Sequence, residues 1–184
     1  QVLANLLANG VQVHIVGRDQ VTSDLPEHRH MRDVPYPDAP DQTIDTRTRG
    51  VGGRNSSCGE ENLLNLPGDR YAERDILCHE FAHTIHYYGV SPNVQRAIRE
   101  AYDHAMEQGL WRGAYASTND TEYFAELTMW YFGNRGDYGR LSPRPRPGPE
   151  WLRQYDPTGY RMLDDFYQGR MDVQPIGRSR RRSQ

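Results

Sequence analysis

Apolar residues recur at helical spacing over residues 2–7, and Asn9-Gly10 breaks the run. Val11, Val13 and Ile15 then alternate with Gln12, His14 and Val16, the period of a strand. Residues 22–48 are rich in Asp, Pro, Thr and Arg and read as loop with room for one short strand. "RGVGG", residues 49–53, is a glycine-rich turn, and "ENLLNLPG", residues 61–68, predicts a strand ended by Pro67-Gly68. From residue 71 the period lengthens. Ile76, Leu77, Phe81, Thr84, Ile85 and Tyr88 recur every three or four positions, and Gly89 ends the helix they predict. Ser91-Pro92 starts a second helix running to about residue 108, before Gly109. A third follows "STND" over residues 121–131. "SPRPRPGPE", residues 142–150, predicts an extended connector, and residues 156–169 allow a last helix. No internal repeat is present. The order predicts an α+β fold: a small twisted sheet with an N-terminal helix, then a mainly helical half.

A chain of 184 residues suits one domain with a real core. Its mean hydropathy of −0.90 is low, but twelve Tyr, four Phe and three Trp supply large buried area. The net charge of −3 argues against a nucleic-acid partner for the fold as a whole. The charge is uneven. Arg178, Arg180, Arg181 and Arg182 crowd the end, and without these four the charge is −7. Residues 1–172 are therefore expected to form the domain and residues 173–184 a basic, disordered tail. No run of about 18 apolar residues exists, so no membrane span is expected. A monomer is the default expectation. Cys58 and Cys78 are the two cysteines. Paired, they close a loop leading into the first long helix and point to an oxidising, extracytoplasmic compartment. Two buried thiols, or one thiolate on a metal, are the alternatives.

That helix carries "CHEFAHTIH", residues 78–86. His79 and His83 stand four apart, about 40° in azimuth, so both rings project from one face. Two such rings reach one zinc ion at about 2.0–2.1 Å. Glu80, beside them, can accept a proton from a zinc-bound water, whose pKa the ion lowers to about 7. The bland alternative is an amphipathic helix with incidental histidines. The motif lies inside a helical period with Leu77, Phe81 and Ile85 to pack behind it, which favours the metal.

A catalytic zinc needs a third protein ligand. A glycine three residues past His83, with His or Asp three further on, would supply one. Here His86 and Gly89 hold those places in reverse order. His86 is then a partly buried helix residue, and His14, His28, His30 and His104 are surface or hydrogen-bonded. In "NDTEYFAELTMWYF", Glu122 and Glu126 stand four apart on the third helix. One can ligate zinc while the other fixes the free ring nitrogen of a ligand histidine. Alternatively Glu122 closes a capping box with Asn119, and Glu126 is a surface carboxylate.

A histidine helix followed by a glutamate on a later helix resembles the gluzincin arrangement. "YASTNDTEYFAE" resembles the Tyr-x6-Glu-[aromatic]2-Ala-Glu segment of the anthrax lethal factor catalytic domain and of the secreted Pro-Pro endopeptidases. "RGVGG" is similar to a glycine-rich turn ahead of the metal helix in that group. The resemblance covers residues 49–131 and implies a zincin-like fold with one catalytic zinc ion on His79, His83 and Glu122. It further implies Glu80 as general base, Glu126 as hydrogen-bond partner of a ligand histidine, and Tyr115 as the phenol steadying the oxyanion. Tyr115 is otherwise a packing residue. Thr121 precedes Glu122 and offers no charge to a substrate, so no proline specificity carries over. The implied function is a secreted zinc endopeptidase whose peptide substrate lies extended along an edge strand. A zinc hydrolase of non-peptide or modified-peptide substrates, and a zinc-stabilised binding module without catalysis, are the competing readings.

Overall fold

The computed structural model describes residues 1–71 and 74–177. The Arg-rich residues 178–184 lie outside the described residues, so the tail expectation is not addressed there. The fold is α+β. In chain order the elements are α1 (Val2–Ala8), β1 (Gln12–Val16), α2 (Ile44–Arg47), β2 (Asn55–Gly59), α3 (Glu60–Leu63), α4 (Ile76–Tyr88), α5 (Pro92–Glu107), α6 (Asp120–Tyr131), α7 (Pro149–Tyr155) and α8 (Pro157–Tyr167). The two strands pair in parallel, from Gln12 opposite Asn55 to Val16 opposite Gly59. Val51 bridges Ser57 in antiparallel fashion, taking both its N–H and its C=O. The glycine turn is thereby laid along the side of β2 away from β1.

Four expectations shift. The second strand is 55–59, not 61–68. Its Ser56, Ser57 and Cys58 are fully buried on both faces, so no polar–apolar alternation marks it. Residues 61–68 instead hold α3, and the chain turns through left-handed Asn65 (φ 53°). Residues 22–48 contain α2 and two 3₁₀ turns, with no strand. The helix expected from residue 71 starts at Ile76, where Asp75 caps it by accepting the Cys78 N–H at 2.9 Å. α7 begins inside the expected connector, with Pro149 in its first turn.

The expected disulfide is absent: Cys58 and Cys78 are free thiols. Cys58 is sealed inside β2, while Cys78 sits in the first turn of α4. Burial pushes Cys58 up to about 11 and Cys78 up to about 12, so both stay protonated and unreactive. The argument for an oxidising compartment, and for secretion with it, falls with the pair.

The core centres on α6. Tyr123 to Trp130 are all buried, with α4, α5, α7 and α8 around them. Such a helix shows little amphipathic contrast because every side is covered. At its edge the fully buried Asp156 caps α8 and accepts from Trp111 Nε1 (2.8 Å), Tyr123 Oη (2.6 Å) and the Gly159 N–H (2.8 Å). Three donors satisfy a carboxylate that would otherwise be costly to bury. Beyond α8 the chain returns across α1: Asn5 donates to Gln174 O at 3.0 Å, and the Gln174 N–H donates to Ser91 Oγ at 2.9 Å. Among the described residues no helix is long and apolar enough to cross a membrane.

Candidate metal centre

α4 packs against α6, and their facing side chains meet at one point. α4 supplies His79 and His83 from successive turns. α6 supplies Glu122 from its first turn. Asn119 caps α6 by accepting the Glu122 N–H at 2.9 Å, but the Glu122 carboxylate does not reach back to complete a box. It turns across to α4. His79 Nε2 and His83 Nε2 lie 3.1 Å apart, and Glu122 Oε2 is 3.2 Å from the first and 3.1 Å from the second. Donors about 2.05 Å from a tetrahedral ion stand about 3.3 Å from one another. The triangle therefore fits a single metal ion, and these three residues can hold one.

The charges agree. Burial pulls His79 down, yet Glu122 and Glu126 reverse this and push it up to about 9. Burial likewise works to raise Glu122, but the two imidazoles bring it down to about 2. Two inward lone pairs and a carboxylate oxygen attract a cation, and a proton on His79 is the smallest that serves.

Glu126 is fully buried, not the surface carboxylate of the bland reading. Its Oε1 accepts from Arg74 Nη2 and lies 3.2 Å from His79 Nδ1, a close polar approach short of a full hydrogen bond. Its Oε2 accepts the Asp137 N–H. Tyr115, on a 3₁₀ turn (Tyr115–Ser117), is 48% exposed. Its ring stacks on His79 at 6.2 Å and its hydroxyl donates to Glu122 Oε1 at 3.4 Å. Burial and the Glu122 carboxylate push its hydroxyl up to about 12, so it remains a proton donor near neutrality.

The backbone of the glycine turn lies close against Glu80. A Cβ on Gly50 would lie 3.1 Å from Glu80 Oε1 and 2.3 Å from Ile76 Cγ2. A Cβ on Gly52 would lie 3.1 Å from Glu80 Oε2 and 2.8 Å from His83 Cβ. Neither glycine has positive φ, so space rather than conformation demands them. Burial raises the Glu80 carboxyl, and the His79 and His83 imidazoles, then the Gly52 N–H, work against that rise.

These groups open on a cleft of about 590 Å³. Gly50, Val51 and Gly52 form one wall, and Met31, Tyr36 and Arg47 reach it from the 22–48 segment. Arg47 stacks 4.3 Å over Tyr36 and grips Asp38 with both guanidinium nitrogens, at 3.0 and 3.2 Å. Sequence reasoning passed over these residues, which follow no period. His28 is half-buried in the cleft wall rather than at the surface, and burial lowers its pKa. His14 pairs with Glu27, and His104 is exposed. His86 is buried against Phe124, outside the metal triangle.

No protein-family model matches the chain, and no curated protein matches it by sequence. Among solved structures, its fold is similar to that of a Pro-Pro endopeptidase from Paenibacillus alvei, with a TM-score of 0.56 over 90% of this chain and 82% of that one. The two share 19% sequence identity, so the likeness is one of fold.

Proposed function

We propose that the protein is a zinc-dependent endopeptidase. The observation that carries this reading is the convergence of His79, His83 and Glu122 to within 3.2 Å, with Glu80 and Tyr115 lining the same cleft. The fold likeness to an endopeptidase supports it. Two imidazoles and one carboxylate suit zinc and leave a position open for substrate or water. When bound, the ion supplies Lewis-acid chemistry, polarising a carbonyl and acidifying water.

The chain's own residues divide the remaining work. The peptide lies extended along residues 50–52, offering backbone to backbone where the glycines leave no side chain in the way. Glu80 takes a proton from the attacking water and delivers it to the leaving amine. Burial, by raising its carboxyl, brings it nearer the pH at which both transfers must run. Tyr115 donates its hydroxyl to the oxygen on which negative charge grows, a bond stronger in the transition state than in the ground state. Glu126 steadies the ring of His79. A binding module without catalysis has no use for Glu80 or Tyr115 in these places.

A peptide-library digest read by mass spectrometry tests this, with wild type and Glu80→Gln compared at matched zinc content. Cleavage by wild type is expected, with turnover reduced about 10²–10⁴-fold in the variant while zinc is retained. Failure of zinc-loaded wild type to cut any peptide would overturn the endopeptidase reading.

A further inference from the structure

Arg74 stands one residue before the cap of α4 and belongs to no helix or strand. It lines the cleft, and its side chain is 29% exposed. Its Nη2 donates to Glu126 Oε1, the same oxygen that faces His79 Nδ1. The Asp137 N–H holds the other oxygen. Two anchors, one on each oxygen, fix the plane of the carboxylate. Without Arg74, Oε1 would be a buried carboxylate oxygen with no donor beyond its approach to His79 Nδ1. His79 turns Nε2 to the metal triangle and Nδ1 to Glu126, so the ring's direction depends on where Oε1 stands.

We propose that Arg74 is a positioning residue of the metal centre: by holding Glu126 Oε1 against His79 Nδ1, it fixes the ring with Nε2 aimed at the ion. Among the described residues Arg74 forms no hydrogen bond with His79, His83 or Glu122. It acts 52 residues along the chain, through one oxygen atom. The proposal rests on the reading of His79, His83 and Glu122 as the zinc-holding set.

A double-mutant cycle on zinc affinity tests it. Zn²⁺ binding is measured by competition with a chromophoric chelator for wild type, Arg74→Met, Glu126→Gln and the double variant. Each single variant is expected to bind about 10–100-fold more weakly. The double variant should bind no more weakly than the weaker single one, because both changes break one link. The visible band of the Co²⁺-loaded protein should shift in Arg74→Met, which a loss of global stability alone would not cause. Affinity within about twofold of wild type in Arg74→Met, or losses that multiply in the double variant, would overturn the proposal. Absence of zinc binding by wild type would instead bring down the metal reading beneath it. If Arg74→Met does not fold, judged by circular dichroism, Arg74→Lys takes its place in the same cycle. A smaller loss is then expected, and it must vanish in the Glu126→Gln background.

Discussion

Protons and a metal ion compete for the same atoms at His79. Its pKa of about 9 lies above the ordinary 6.5, so in the metal-free protein its carboxylate contacts stabilise the fold fully below pH 6.5 and cease to do so as pH rises through 9. Glu122, depressed from 4.5 to about 2, has the opposite sign: its contribution is present above pH 4.5 and is lost as pH falls toward 2. Both contributions are complete between pH 4.5 and 6.5, where the metal-free protein should be most stable. A metal must displace the His79 proton. At pH 7, zinc binding should therefore release about one proton from this residue, and affinity should climb about tenfold per pH unit before levelling near pH 9. Calorimetric titrations in two buffers of different ionisation enthalpy measure the release. Identical heats in both would contradict the charge state inferred for the site.

At the scale of elements, the meeting of α4 with the glycine turn decides where Glu80 points. Gly52→Ala places a methyl 2.8 Å from His83 Cβ and 3.1 Å from Glu80 Oε2. The turn must then lift from α4, at about 1–3 kcal/mol for an overpacked contact. Both the melting temperature and zinc affinity should fall, and a variant unchanged in both would show that the turn has slack. The turn is tied down nearby. Arg49 donates to both oxygens of Glu61 at 2.7 Å, and both residues are buried.

Legibility in the sequence followed the reach of each interaction. α4 and the spacing of His79, Glu80 and His83 were readable because everything needed lies within one turn. Glu122 and Glu126 were readable as a pair, though which one ligates came only with a resemblance. β2 was hidden by small side chains buried on both faces. The strand expected at 61–68 was suggested by Leu63 and Leu64, which are 46% and 56% exposed and pack no core. Arg74 carries no local signal at all, since its partner is 52 residues away.

Over the whole molecule, the candidate metal donors sit where the histidine helix meets the buried axis, α6. An ion bound to the folded chain alone, present at a hundred times its Kd, adds about 2.7 kcal/mol of stability. For a chain of this size that corresponds to about 5–11 °C in melting temperature. Calorimetric melts with zinc and with a chelator should differ by that order, the chelated protein melting first. Coincident melts would mean that the ion is not held by the native site. Two elements whose donors are 39 residues apart in sequence would be joined by one ion, which would make the metal a removable staple. On the endopeptidase reading this bears on the molecule's own survival. The same ion would arm the molecule and, at a hundred times its Kd, hold its unfolded fraction about a hundredfold lower, so a molecule stripped of metal would be both disarmed and more often open to cutting by those that kept theirs.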